Sequence, residues 1–558
     1  MNMKKTCKMV AIALLAIANA SSVMAGGLNT NTNQNVAFLR NPARDAAIGI
    51  DGVYSNPAGV AFMPEGWHVS VNLQNANQTR TSTSTFPGLA ANIGNLGNPT
   101  KEYKGTATAI IPSVQVALNR GKWAFQFNFA IMGGGGKCEY KGGLGSIESL
   151  VSVVPQVFNA FGKTLNGMAA QAGLNPNFPT NCVYTANSYM SGQSYYYGYT
   201  LGAAYRINDH WSVYGGARLL YGTTKYYGYV NNIKLMTPEG QNLGDWVRAN
   251  TSNPDVQRTI AGLFNDPVEA IQDQKTTALL NTSTALIDGL LDEGISLNCN
   301  QDGYGIAPII GVDYKTGNFN FAAKFEFKTR MRLENKSNNS SLVKYIPSLK
   351  RFADGTKEAE DVPSLLTVGA QWSVIPQVRV SAGWHHYFDK DSRLHQDVNR
   401  KLSGDTNEYL LGAEWDLSKV VTVSAGGQRT VYGLSDEFMD DISFSVNSTS
   451  IGFGCSVKVS DVVKLNVAYF WTNYQTYDRS QADYSNVKGQ LGSILGNVSG
   501  MMGSDVAKGL VSLAEIDGSK ISQAVGSLSQ QLGQVQTAGS DKFTRTNHVI
   551  GIGADFTF

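Results

Sequence analysis

Val378-Arg379-Val380-Ser381-Ala382-Gly383-Trp384-His385-His386 sets Val378, Val380, Ala382, Trp384 and His386 on one phase and Arg379, Ser381, Gly383 and His385 on the other. A period of two places successive side chains on opposite faces of a β-strand. Here one face is largely apolar and the other small or polar. The pattern recurs. Val421, Val423 and Ala425 alternate with Thr422, Ser424 and Gly426, and Leu465, Val467, Tyr469 and Trp471 with Lys464, Asn466, Ala468 and Phe470. A soluble sandwich alternates in the same way, but its strands usually run only about five or six residues. These segments run roughly 10 to 14, with aromatics toward their ends, the length and girdle of a tilted strand crossing a membrane.

Reading the chain outward from this stretch predicts strands near 67–75, 106–118, 122–133, 193–206, 210–224, 303–315, 318–331, 364–374, 376–387, 407–417, 420–431, 447–458, 462–475 and 545–558. That makes fourteen, an even number, as single-chain bacterial barrels require. The connections alternate between short turns, such as Asn119-Arg120-Gly121 and Ser460-Asp461, and long excursions near 76–105, 134–192, 225–302, 332–363, 388–406, 432–446 and 476–544. Short turns face the periplasm and long loops face outward in such proteins. The predicted fold is all-β: a 14-stranded antiparallel transmembrane β-barrel over residues 67–558, with large outer loops near 134–192, 225–302 and 476–544.

The first residues read as a secretory signal. Lys4, Lys5 and Lys8 precede an apolar run from Met9 to Ala18, and Val23-Met24-Ala25 offers a small-residue cleavage site. Residues 1–25 are therefore expected to be removed, and no later stretch supplies about 18 uninterrupted apolar residues for a membrane helix. Basic and acidic residues are nearly balanced, at 45 and 43 in the whole chain, so a nucleic-acid partner is not indicated. Cys138, Cys182, Cys299 and Cys455 form no C-x-x-C pair, which disfavours metal knuckles and redox motifs. Cys138 with Cys182 is the best-placed pair for a loop disulfide in an oxidising compartment. No metal or cofactor site is expected.

Two outer loops show helical periodicity. Asp255 to Leu291 carries Ile260, Leu263, Ile271, Leu279, Leu280 and Leu290 at helical spacing, and Gly489 to Gln536 is an amphipathic Gly/Ser-rich stretch around Met501 and Leu510. Such segments either pack on each other over the barrel mouth or form an apolar groove for a greasy ligand.

A 14-stranded barrel is wider than one its own side chains can fill, so it needs a plug. Residues 26–66 precede the first strand and hold two Asn-Pro-Ala turns, Asn41-Pro42-Ala43 and Asn56-Pro57-Ala58. Proline fixes φ and lacks an N–H, while the preceding Asn bonds nearby backbone, giving turns that need no sheet partner. Such a segment suits the inside of a lumen and reads as an N-terminal hatch.

At these residues the chain resembles the FadL/TodX-type outer-membrane transporters of long-chain fatty acids and other hydrophobic compounds. Gly49 to Met63 looks like that family's hatch, and of the two turns Asn56-Pro57-Ala58 is the better match. Leu201 to Val213 resembles its hairpin after the first large loop, Val362 to Ala370 its Leu-Pro strand opening, and the closing Ile550 to Phe558 its terminal strand. The resemblance implies passive uptake: ligand caught among the outer loops enters the lumen, hatch movement opens a path to an inward kink in the third strand, and the ligand leaves sideways into the membrane. It implies an outer membrane of a Gram-negative bacterium, contact with its lipid and lipopolysaccharide, insertion by the barrel assembly machinery through terminal Phe558, and a monomer.

The third strand ends in Gly133, Gly134, Gly135 and Gly136, candidates for the kink because glycine in a strand marks a bulge or bend; they also read as the start of a loop. Where some family members hold a carboxylate after the fifth strand, this chain offers Lys225 as a candidate partner, which reads first as a snorkelling or loop lysine. A nonspecific porin and an outer-membrane lipid hydrolase are the alternatives. The hydrolase lacks a G-x-S-x-G elbow among its motifs, and His385 reads as a wall histidine facing the lumen. Asp436-Glu437 with Asp440-Asp441 is the one acidic cluster and reads as a solvated loop face.

Overall fold

The computed structural model describes residues 28, 30–274, 276–277, 280–281, 284, 288, 294–339, 351–489, 492 and 517–558. The expected signal segment 1–25, Leu279 and Leu290, and the stretch around Met501 and Leu510 lie outside the described residues.

Fourteen antiparallel strands close into one barrel. They are β1 (Gly66–Thr85), β2 (Thr100–Arg120), β3 (Trp123–Tyr140), β4 (Val183–Arg206), β5 (Trp211–Met236), β6 (Ile295–Thr316), β7 (Phe319–Glu326, continued by Arg332–Ser337), β8 (Lys357–Ala359, continued by Leu365–Ile375), β9 (Val378–Tyr387), β10 (Thr406–Asp416), β11 (Val421–Val431), β12 (Ser448–Lys458), β13 (Val463–Tyr474, continued by Tyr477–Gln481) and β14 (Gly539–Thr557). Each interrupted strand keeps one neighbour across its break. Both parts of β7 pair with β6, and both parts of β13 with β14. Closure runs from His68 opposite Thr557 to Thr85 opposite Ser540, so the first and last strands leave no open sheet edge.

Several strands reach further outward than alternation alone indicates. β1 continues to Thr85, β4 begins at Val183, β5 continues to Met236 and β14 begins at Gly539. The long loops shrink accordingly to 86–99, 141–182, 237–294 and 482–538. Beyond the apolar band the strands pair in water, where both faces carry polar residues, as in Asn77-Gln78-Thr79-Arg80-Thr81 of β1; pairing persists there after hydrophobic alternation has stopped.

The period-2 phase holds around the wall. Val71 and Leu73 face outward, while Ser70, Asn72 and Gln74 are buried toward the lumen. His385 points inward and His386 outward, as their positions in the alternation require. Near the short turns Trp67, Trp123, Trp211, Trp372 and Trp415 are exposed on the outer face, an aromatic belt for the inner membrane boundary. No helix among the described residues is long and apolar enough to cross a membrane. Strands do the crossing.

The outer loops are partly helical. α3 (Gly145–Gln171) lies between β3 and β4; α4 (Leu243–Asn250), α5 (Pro254–Ala261) and α6 (Pro267–Gln272) between β5 and β6; and α7 (Gly518–Gly533) before β14. Asp441 corrects the reading of its acidic stretch as solvated. It is buried and accepts hydrogen bonds from Ser146 N at 2.8 Å and Ser146 Oγ at 2.7 Å, tying the loop before β12 to the start of α3. The expected disulfide is absent. Cys138 lies in the lumen and Cys182 on the wall of a loop cavity, both as free thiols.

Candidate functional site

The segment before β1 fills the lumen. Its two short helices, α1 (Val36–Arg40) and α2 (Gly52–Ser55), and the 3-10 turn Gly59–Phe62 are almost wholly buried against the wall. The Asn35 side chain caps α1 by accepting from Ala37 N at 2.8 Å. Both Asn-Pro-Ala turns close on themselves. Asn41 Oδ1 accepts from Ala43 N at 3.2 Å, and Asn56 Oδ1 from Gly59 N at 3.1 Å.

The wall supplies what the hatch backbone lacks. Gln126 Nε2 donates to Pro57 O at 2.7 Å, Ser212 Oγ to Ala58 O at 2.7 Å, Asn119 Nδ2 to Val60 O at 2.7 Å and Asn320 Nδ2 to Ala46 O at 2.7 Å. Asn56 reaches further than Asn41, donating to Asp313 Oδ2 of β6 at 2.6 Å. The lumen-facing glycines of the wall give the hatch room. A Cβ at Gly412 would strike Asn41, at Gly426 Pro42, at Gly452 the Leu39 carbonyl, and at Gly369 or Gly383 Asp45. This explains glycine on the inward phase of strands whose interiors it would otherwise weaken.

Charge fixes the seat. Glu414 of β10 takes Arg40 and Arg44, each at 2.9 Å, and Arg44 also pairs with Asp51 at 2.7 Å. Burial works against the Arg44 charge, but Asp51 and Glu414 outweigh it and hold the guanidinium above the ordinary arginine range. His385 bridges Asp45 of the hatch and Glu408 of β10, at 2.9 Å to each.

The glycine run lies inside β3 and bends it. β2 and β3 pair up to Thr108 opposite Lys137, then resume only at Ser113 opposite Ala130, and two register shifts toward β4 fall between Ile131 and Gly136. Gly134 and Gly136 have φ of 81° and 88°, a region L-residues rarely adopt. Gly133 and Gly135 complete the irregular stretch. The hatch bonds to the backbone of this bend: Asn31 N donates to Met132 O at 2.7 Å and Asn31 Nδ2 to Gly134 O at 2.9 Å. Ser113 Oγ and Gln115 Nε2, on the β2 side, donate to Gln34 O at 2.5 and 3.0 Å. Asn31 and Gln34 thus stand where neighbouring strands have parted, a contact that sequence periodicity gave no signal of.

Above the hatch the loop helices enclose an apolar cavity of about 540 Å³. Phe158, Phe161 and Leu165 of α3, Ile233 and Leu235 of β5, Trp246 of α4 and Ile260 of α5 line it. The size and lining suit one small hydrophobic molecule. Lys225 takes no part in the lumen: it sits within β5, exposed on the outward phase, while its neighbour Tyr226 is buried inward. The hope of a carboxylate partner there fails because β5 extends past it and alternation turns it away from the pore.

No family model matches the chain, and no curated protein matches it. Solved structures do. A FadL homologue of Pseudomonas aeruginosa superposes with a TM-score of 0.56 at 9% identity, covering 96% of this chain and 100% of that one. The toluene transporter TodX of P. putida gives 0.48 at 11% identity, over 91% of this chain and 94% of its own. The toluene transporter TbuX of Ralstonia pickettii gives 0.47 at 12%, over 94% and 99%. The chain has the FadL-type fold.

Proposed function

We propose that this chain takes up hydrophobic molecules, long-chain fatty acids foremost, passively across the outer membrane of a Gram-negative bacterium and releases them sideways into that membrane. The observation that carries the reading is the bonding of hatch residue Asn31 to the carbonyls of Met132 and Gly134 in the bent part of β3. A plug whose end occupies a break in the wall couples its own movement to the opening of that break.

In this reading the apolar cavity between α3, α4 and β5 collects the ligand, the lumen passes it inward, and displacement of Asn31 and Gln34 uncovers the bend. Outside the bend Tyr195 and Tyr197 pack on the apolar cluster containing Ile131, giving the departing molecule an aromatic surface. Lateral release is favoured by solvation. At about 0.8 kcal/mol per CH₂, a chain of roughly 16 carbons would lose on the order of 12 kcal/mol on entering periplasmic water. The protein acts as a transporter and not as an enzyme, works as a monomer, is surrounded by lipid and lipopolysaccharide, and is inserted by the barrel assembly machinery through Phe558.

The test is uptake of radiolabelled hexadecanoate by cells expressing the chain, set beside swelling of liposomes carrying the pure protein. The proposal expects saturable uptake and no swelling in small sugars. Free sugar flux would instead establish a porin.

A further inference from the structure

Lys225, turned away from the pore, belongs to a row of outward side chains. The strand register sets Lys137 of β3 opposite Gln193 of β4, Gln193 opposite Lys225 of β5, Lys225 opposite Asn300 of β6, and Asn300 opposite Lys336 of β7. Three lysines thus alternate with two amides across five adjacent strands. Lys137, Lys225, Asn300 and Lys336 are exposed on the outer face, and Gln193 is half-buried there.

The height of this row on the barrel decides what it faces. On β5, Trp211 marks the inner membrane boundary and Tyr221 lies ten residues beyond it, both exposed on the outer face. At about 3.3 Å per residue and a tilt of roughly 40°, that separation is about 25 Å along the membrane normal, the height of the apolar band. Tyr221 stands opposite both Tyr197 and Tyr304 on the same face, an aromatic belt at the outer boundary. Lys225 is four residues beyond Tyr221, about 10 Å further out. Below the belt Leu201, Leu219 and Ile306 are exposed. From outside to inside the surface therefore runs amine, aromatic, aliphatic, which is the order of head group, interface and acyl chain in a lipid.

We propose that Lys137, Lys225 and Lys336, with the amides of Gln193 and Asn300 between them, bind the phosphates of one lipopolysaccharide molecule of the outer leaflet. Lysine meets phosphate as a compact charge with three donors, and the amide N–H groups can donate to phosphate or sugar oxygens. The acids nearby do not fill this role. Lys137 pairs with Glu139, Lys336 with Asp302 at 2.5 Å, and Glu334 is taken by Lys357 at 3.2 Å; exposed pairs of this kind hold their lysines weakly. Lys225 has no carboxylate partner among the described residues, and the groups opposite it are the neutral Gln193 and Asn300. Lys137 and Lys336 stand four strand spacings apart, about 19 Å. A glycerophospholipid with a single phosphate cannot span that row, whereas a sugar head group phosphorylated at both ends can. The inference rests on the outer-membrane placement in the uptake reading. It seats the lipid beside the β3 bend, since Lys137 directly follows Gly136.

The test measures binding of diphosphoryl lipid A, phosphate-free lipid A and phosphatidylglycerol to the full-length, delipidated protein in detergent, by native mass spectrometry. The proteins compared are wild type, Lys225→Gln, the triple variant Lys137→Gln with Lys225→Gln and Lys336→Gln, and Lys542→Gln, which alters an exposed lysine of β14 outside the row. Retained barrel mobility on unheated gels shows that each variant is folded. The site predicts that Lys225→Gln weakens diphosphoryl lipid A at least threefold and the triple variant at least tenfold, while Lys542→Gln changes it less than twofold. Phosphate-free lipid A and phosphatidylglycerol should bind wild type at least tenfold more weakly. Undiminished binding by the triple variant, a loss in Lys542→Gln equal to that in Lys225→Gln, or phosphatidylglycerol held as tightly as lipid A would overturn the site. Binding is read on the purified chain and uptake in cells, so failure of this site leaves the uptake reading standing, and absent uptake with lipid A bound as predicted would sink the uptake reading alone.

Discussion

Asn41 and Asn56 make the same local turn and differ in what they reach. Each Oδ1 accepts a backbone N–H two or three residues on, but only Asn56 carries a bond to the wall, at Asp313. Removing it strips a hydrogen bond from a buried carboxylate, a loss of about 1–3 kcal/mol, moderated because Asn320 still donates to the same oxygen at 2.8 Å. Asn56→Ala should therefore destabilise the seated hatch more than Asn41→Ala, measured as protease cleavage between residues 40 and 66 in otherwise intact barrels. The turns were legible from Asn-Pro-Ala itself; Asp313 as partner was not, because strand register, which brings together residues 257 apart, is written in no local pattern. A second residue-scale outcome concerns pH. Asp389, in the loop after β9, is pushed up to about 7 by burial and by the charges of Asp405 and Glu408, against the hydrogen bond it accepts from Thr406 N at 3.1 Å. The folded loop thus holds a proton that an unfolded Asp would release near pH about 3.9. Its stabilisation is full below that value and lost as pH rises through about 7. Amide protection factors across 388–405, corrected for the base-catalysed intrinsic rate, should be lower at pH 8.5 than at 5.5, and Asp389→Asn should flatten the difference.

At the scale of one element, β3 shows how sequence can mark a bend without revealing its use. Four consecutive glycines pointed to a bulge or to the start of a loop; the structure places them within the strand, with Gly134 at positive φ and its Cβ direction closed by the Ser194 carbonyl. A side chain there would have to rebuild the bend, since the left-handed region alone costs an L-residue about 1–2 kcal/mol. Gly134→Val is expected to leave the barrel folded, to displace Asn31 from its carbonyl, and to cut hexadecanoate uptake severalfold or more, with surface expression measured in parallel. Undiminished uptake in a well-expressed variant would remove β3 as the exit. The outer ends of β1, β4, β5 and β14 were not legible, because their pairing continues into water where the apolar phase that identifies membrane strands no longer operates.

On the scale of the whole molecule, counting turns and loops was enough to give fourteen strands even though β7, β8 and β13 are each interrupted, since an interruption inside a strand changes no strand's direction. What the count could not give was the seat of the hatch, which depends on inward glycines and buried charges scattered over many strands. Glu414 carries most of that charge. Glu414→Gln would leave Arg40 and Arg44 buried and undercompensated, a loss of about 3–5 kcal/mol, and should raise ion conductance through single barrels in planar bilayers as the hatch loosens. The most direct measurement ties the hatch to the wall. Gly311 of β6 has room for a Cβ, which would stand 3.7 Å from Pro57 Cγ of the hatch, so Pro57→Cys with Gly311→Cys brings two thiols within reach and forms a reducible tether. If hatch movement opens the path to β3, hexadecanoate uptake should fall at least tenfold in the oxidised protein relative to the Pro57→Cys single variant and recover on reduction. Equal uptake with the tether closed and open would contradict gating by the hatch.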